Sequence, residues 1–378
     1  MLACLSPNGR AEYTGSEPAS RLLVGTIKGV CALERPDVGA AWKVAETTLE
    51  GRQISALVYE PRSSLVFAGI AGHGLYASAD EGRTWDLRAD GLRIDHIFAM
   101  AVDSRGDQPI LYAGTLPPAL FRSTDLGHTW QELTTLNEIP DADKWNFRAP
   151  PGAPHVKNIA FHPTESDTLF VCIEQGGLMK TTDAGQTWTE LFAWQADDTF
   201  YRDAHRLAIQ RSKPDVMYLA SGDGLCKTTD GGQSWERLTT GSYKVGYPDA
   251  LFIDPDDEQV VYIGGAGGHP GTWDAQTARA SFARGSDGGH RWEELREGFP
   301  SPLRGNIEAV SMVSGQGRVA FYAGTAVGEV FASEDRGQQW QQIAQMKPIS
   351  KAGHYRRFLS PEERAEAERE LLAQVAPA

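Results

Sequence analysis

One short pattern constrains this chain more than any other feature: an aspartate followed two residues later by glycine and five residues later by tryptophan. It occurs as Ser78-Ala79-Asp80-Glu81-Gly82-Arg83-Thr84-Trp85 and as Ser123-Thr124-Asp125-Leu126-Gly127-His128-Thr129-Trp130, and further copies end at Trp188, Trp235, Trp292 and Trp340. The six aspartates (Asp80, Asp125, Asp183, Asp230, Asp287 and Asp335) are 45 to 58 residues apart, close to the length of a four-stranded blade. Asp caps backbone N–H groups in a tight turn, Gly adopts backbone angles other residues avoid, and the Trp ring packs between neighbouring sheets. These residues are therefore structural. A degenerate seventh copy, Ala32 to Val44, keeps Trp42.

The flanking sequence supplies the strands. An apolar run (Ile54-Tyr59, Ile97-Val102, Val156-Phe161, Arg206-Ile209, Ala250-Ile253, Ile307-Met312) precedes a second strand such as Leu65-Gly69 or Ala320-Thr325. A short strand then enters the turn and another follows its Trp. Short strands with turn signals at even spacing predict an all-β, seven-bladed β-propeller of four-stranded blades. The expected organisation is an N-terminal segment 1–20, a single propeller 21–358 and a helical tail 359–378, with Ser360 as N-cap and Pro361 in the first turn. Blade one has a second strand, Leu22-Ile27, but no obvious innermost strand, and Met346 to Phe358 is the candidate to supply it and close the ring.

These motifs resemble the Asp-box, or bacterial neuraminidase repeat, propellers, over roughly Arg21 to Gln345. That group includes sialidases, other glycosidases, sortilin-type receptors and a photosystem assembly factor, so the resemblance implies a fold more than an activity. It implies neither a sialidase nor its arginine clamp, because the early Phe-Arg-Ile-Pro motif is missing; Phe147-Arg148-Ala149-Pro150 is similar only superficially and falls between blades.

A ligand site is expected where innermost strands begin. Aligned on their apolar cores, the six strands open with Gln53, His96, His155, Asp203, Tyr247 and Asn306. Two residues on, in the same phase of strand alternation, come Ser55, Phe98, Lys157, His205, Asp249 and Glu308. Polar groups thus gather in a funnel at one end of the channel. Three tryptophans outside the repeat, Trp145, Trp194 and Trp273, fall in the longest insertions on the same face, with Arg148, Arg202 and Arg304 near strand starts. Aromatic rings beside charged groups suit a carbohydrate.

Three readings follow. A glycosidase-like hydrolase would use a carboxyl pair drawn from Asp203, Asp249 and Glu308, with Lys157, Tyr247, Asn306, Gln53, the three arginines and the three tryptophans binding the ligand. A metal-assisted hydrolase would hold a divalent ion in the channel on His96, His155 and His205, with Asp203 or Asp249 completing or orienting the shell. A non-catalytic binding or assembly module would use the loop face for a protein partner. The formal charge of −14 argues against nucleic acid and anionic membrane as partners. Cys4, Cys31, Cys172 and Cys226 show no metal-ligand spacing, and the N-terminus lacks the basic region and apolar run of a signal peptide. The expected compartment is the cytoplasm, with secretion the alternative.

Overall fold

In the computed structural model, which describes residues 1–140, 142–147, 153–191, 203–351, 358, 361–362 and 365, each repeat is one β-sheet, wholly antiparallel in blades two to six. Seven such blades form a β-propeller ring. The innermost strands of blades two to seven are Ile54–Glu60, Ile97–Asp103, His155–Phe161, Ala204–Ile209, Tyr247–Ile253 and Ile307–Gly315. Apolar side chains of adjacent blades interdigitate, as where Phe282, Phe321 and Trp340 meet between blades six and seven.

The recurrent turn owes its shape to hydrogen bonds within the motif. Ser78 Oγ donates to Asp80 Oδ1 (2.8 Å) and accepts from Gly82 N (2.8 Å). Asp80 in turn accepts from the backbone of Arg83 and Thr84 and from the Thr84 hydroxyl. Glu81 and Gly82 both have positive φ, 59° and 89°, which is where the glycine is needed. In five of the six turns the indole N–H then reaches the preceding blade, as where Trp130 donates to Arg88 O and Trp340 to Leu295 O, whereas the Trp292 N–H has no partner among the described residues. Blade six departs from the rule, since Gly285 stands where the other five have Ser or Thr, and Asp287 itself takes φ 57°. In the degenerate first blade, Trp42 lies under the Arg35 guanidinium and against Tyr322 of blade seven.

Ring closure differs from the expectation. The innermost strand of blade one is Leu2–Leu5, which pairs in parallel with Arg21–Thr26; the C-terminal segment does not supply it. Residues 1–20 are thus part of the propeller. After Leu5 the chain crosses the channel: Asn8 N donates to Ser55 O, Arg10 N to Leu57 O, and Met100 N to Asn8 O. Glu12–Thr14 then adds a fifth, parallel strand to blade seven. A four-residue strand with no turn and no Trp carries no repeat signature, and parallel pairing across sequence leaves no local trace. Of the expected tail helix, Pro361, Glu362 and Ala365 are helical; the rest of 359–378 lies outside the described residues.

Two outcomes follow. A Cβ at Gly9 would fall 2.0 Å from Leu57 O, whereas one at Gly106 would meet nothing nearer than 3.8 Å. Gly9→Ala should therefore cost about 1–3 kcal/mol of unfolding free energy and Gly106→Ala almost nothing, measured by denaturant titration. Asp80, Asp125, Asp183 and Asp230 are each held at about 2. For Asp80, slight burial pushes up and is outweighed by bonds from Thr84, Ser78 and Arg83; for the others the Thr or Ser four residues on contributes most. A depressed folded-state value means stability that is complete above the ordinary Asp value of ~3.9 and is lost as pH falls towards 2. Acid unfolding should steepen in that window, and Asp125→Asn should flatten it.

Candidate functional site

Each innermost strand of blades two to seven carries a one-residue bulge at the same place. The register skips between Ile54/Ala56, Ile97/Ala99, Val156/Asn158, Ala204/Arg206, Pro248/Ala250 and Ile307/Ala309. The skipped residues are Ser55, Phe98, Lys157, His205, Asp249 and Glu308. A bulge leaves its extra residue outside the ladder and re-aims its side chain. All six are buried, none more than 8% exposed.

Blades four to seven thereby place a compact set of charges in the channel mouth. Lys157 Nζ lies 2.9 Å from Glu174 Oε2 and 3.1 Å from Asp249 Oδ1, contacts that are ionic rather than well-angled hydrogen bonds. His155 faces Glu174 Oε2 through Nε2 (2.9 Å) and Ala153 O through Nδ1 (3.0 Å), so both ring nitrogens are engaged. The Tyr247 hydroxyl donates to Glu174 Oε1 (3.2 Å). Asn306 Nδ2 donates to Asp249 Oδ2 (3.1 Å) and to Glu308 Oε1 (2.8 Å), one amide bridging two carboxyl groups. The C-terminal segment enters from above: Lys351 Nζ pairs with Asp249, its amide faces Glu308 Oε2, and Gln53 donates to its carbonyl.

The two bridged carboxyls are driven apart. Burial pushes Asp249 up, but Lys157, Lys351 and His205 outweigh it and hold the group well below the usual carboxylate range. Burial also raises Glu308; Lys351 opposes this, Asp249 adds to it, and the net displacement is upward. Glu174 resembles Asp249: burial opposes ionisation, and Lys157 and His155 prevail, well below the ordinary value. His96 is held below the normal histidine value by burial and by His155.

Most expected site residues therefore meet, though not in the expected grouping. Asp249, Glu308, Asn306, Lys157 and Tyr247 form one cluster. Asp203 is set against His205, 3.3 Å from Oδ1 to Nε2. His96 and His155 stand either side of Phe98, whose ring centre is 3.9 Å from that of His155. The described acid and histidine groups placed to hold an ion are Glu174, Asp203 and His205, with ligand-capable atoms all within 4.8 Å of one another. Arg304 donates to Phe358 O, Trp273 is buried and stacked on Phe358, and Trp145 packs over Gly176 on the blade-four core. Trp194, Arg148 and Arg202 lie outside the described residues.

Two participants escaped the sequence reading. Glu174 ends a second strand, not an innermost one; aligned by their backbone partners, the equivalent positions read Ala71, Leu116, Glu174, Gly222, Ala266 and Ala326. A single acid in an otherwise small or apolar column was the available signal. Lys351 belongs to no repeat, and nothing in its surroundings announces it.

The chain is similar to several known propellers. No protein-family profile matches it. Xyloglucanases of Hypocrea jecorina (strain QM6a) and of a Paenibacillus species are each 26% identical, over 180 and 170 residues. The matches cover 43% and 40% of this chain but only 20% and 15% of those proteins, so the chain spans a small part of the curated relatives' length. Among solved structures, an ancestral GH74 enzyme superposes with TM-score 0.60 at 17% identity, over 78% of this chain and 39% of that one. YCF48 from Cyanidioschyzon merolae gives TM-score 0.53 at 15% identity, over 82% and 91%. The protein is a seven-bladed propeller resembling GH74 and YCF48-like propellers.

Removing the central ammonium should be costly. Lys157→Met leaves Glu174 and Asp249 with less compensation in a buried setting, a change worth about 3–5 kcal/mol. Denaturant melts should show that loss, and Lys157→Met/Glu174→Gln should recover part of it.

Proposed function

We propose that the protein is a hydrolase acting on a carbohydrate-like ligand at the channel mouth, with Asp249 and Glu308 as its two working carboxyl groups. The observation carrying this is the Asn306 amide that contacts both groups while their surroundings push one down and the other up. A pair so divided provides an ionised carboxylate beside a protonated acid, which glycoside cleavage requires. Because one nitrogen touches an oxygen of each, at 3.1 and 2.8 Å, those two oxygens are at most about 6 Å apart, which accommodates the roughly 5–5.5 Å separation of retaining enzymes, in which the carboxylate attacks the sugar carbon and the acid protonates the leaving oxygen. Lys157 and Asn306 orient the pair, and together with Tyr247, which holds the adjacent Glu174, they meet the ligand's hydroxyl groups. The local likeness to xyloglucanases supports a polysaccharide or oligosaccharide as the ligand class.

A specific observation favours a second reading, that of a binding or assembly module. Lys157 and Lys351 already neutralise Asp249, and Asn306 and Glu308 are at most 2% exposed. A ligand must displace the Lys351 side chain to reach them.

Hydrolysis of chromogenic glycosides and of β-glucan and xyloglucan oligosaccharides separates the two. On the hydrolase reading, Asp249→Asn and Glu308→Gln each lower kcat about 10²–10⁴-fold. The pH profile has an alkaline limb: the raised Glu308 must keep its proton, so activity falls as pH rises through its value, while the depressed Asp249 keeps the acid limb far below neutrality. A wild-type protein inert on every glycan, yet binding one with an affinity that Lys157→Met abolishes, would establish the module instead.

A further inference from the structure

Among the described residues four buried side-chain atoms at the mouth have no hydrogen-bond partner, and two of them, Asp203 Oδ1 and His205 Nε2, face each other at 3.3 Å; of the others, Lys157 Nζ has its ion pairs and Asn306 Oδ1 belongs to the carboxyl cluster. Asp203 is 7% exposed and His205 1%, so solvent does not serve them freely. An unsatisfied buried carboxylate or imidazole has lost its hydration with nothing in return, so such a pair is not left facing the same space without a reason.

Three features say what would satisfy them. His205 Nδ1 is 2.8 Å from Pro248 O, and a carbonyl can only accept, so Nδ1 carries a proton and Nε2 is the ring nitrogen left facing Asp203. The charges elsewhere are matched: Lys157 lies against Glu174 and Asp249, and Lys351 against Asp249. Asp203, among the described residues, has no lysine or arginine within 4.0 Å. Finally, the spacing is set by backbone: Glu174 and Asp203 are paired by an isolated antiparallel bridge between blades four and five, and His205 is the bulge residue two positions on.

We propose that Asp203, His205 and Glu174 form a binding site for a first-row divalent transition ion, with Zn²⁺ and Mn²⁺ as the fitting class. One imidazole with carboxylate oxygens is a borderline donor set; Ca²⁺ and Mg²⁺ are held by oxygens alone. Asp203 and His205 give the two uncommitted donors. Glu174 is the third, already bonded to His155, Lys157 and Tyr247, and it anchors the site to the carboxyl cluster next to it. The ion supplies the positive charge Asp203 lacks. The site stands apart from the hydrolase reading, since none of its residues is the Asp249–Glu308 pair.

The test uses the full chain, stripped with a chelator and shown by circular dichroism to remain folded. Titration with Zn²⁺ and with Mn²⁺ by calorimetry should give one equivalent per chain and a concentration-dependent rise in Tm. Asp203→Asn and His205→Ala should each weaken binding at least tenfold, and His96→Gln should leave it unchanged. Because His205→Ala could fail to fold, X-ray absorption on the wild-type Zn²⁺ complex gives an independent readout: a nitrogen/oxygen shell near ~2.0–2.1 Å with a single imidazole. The proposal is overturned by a folded apo-protein that binds neither ion, by binding that survives Asp203→Asn, or by a shell containing sulfur. A charged His205 ring salt-bridged to Asp203 would appear as the first of these outcomes, with both ring nitrogens protonated in NMR spectra. None of these readouts depends on glycan hydrolysis.

Discussion

A segment threaded through a closed channel must find partners for its amides, and residues 6–14 find them on the open edges of the innermost strands. Asn8, Arg10 and Ala11 exchange backbone bonds with Ser55, Leu57, Met100 and Met312, on blades two, three and seven. Ser6 Oγ takes the amide of Leu57, and Ser311 Oγ donates to Cys4 O. Blades four to six meet the same demand with side chains: Asn158 accepts from Leu207 N, and Arg206 donates to Asp249 O and Pro7 O. The plug closes the ring and floors the channel, turning the far end into a bowl instead of a pore. What fills that bowl follows from which blades the plug leaves to side chains.

The bulge decides how deep the bowl's charges sit. In an unbroken strand, residues two apart share a face, which is how Asp203 and His205, or Asn306 and Glu308, come to be grouped by sequence alone. An extra residue at Lys157, His205, Asp249 and Glu308 takes those side chains out of the ladder and buries them, while the apolar alternation resumes one step later. Burial converts a wet funnel into a low-dielectric cluster in which each carboxyl depends on its neighbours for its charge state. Deep groups with divided protonation suit chemistry; solvated groups at a rim would suit only contact.

What could be read in the sequence is what is local. Asp80, Gly82 and Trp85 lie within six residues and make their bonds within that turn or to the blade before it, so the fold declares itself six times over. Leu2–Leu5 is legible only through Arg21–Thr26, its parallel partner, and Lys351 only through Asp249, 102 residues away. The six bulges occur at one structural position yet at Ser, Phe, Lys, His, Asp and Glu, with no shared residue type to betray them. The funnel's membership was therefore readable from strand phase, while its depth, its floor and the lysine that roofs it were not.

The division between Asp249 and Glu308 has a simple electrostatic origin. Two carboxyls on one amide cannot both be charged without repulsion, and the lysines decide which one ionises. Lys157 and Lys351 both pair with Asp249, whereas Glu308 receives only the Lys351 backbone amide and the Asn306 side chain. Both carboxyls nevertheless feel the Lys351 charge in the same direction, since it lowers each of them. On the hydrolase reading, a ligand that withdraws Lys351 would make both groups weaker acids at once: Glu308 would hold its proton more firmly, and Asp249 would become a stronger base. Lys351 is thus the counter-ion of Asp249 and a neighbour of Glu308 together, and the charge states of the two carboxyls are tied to the position of one lysine.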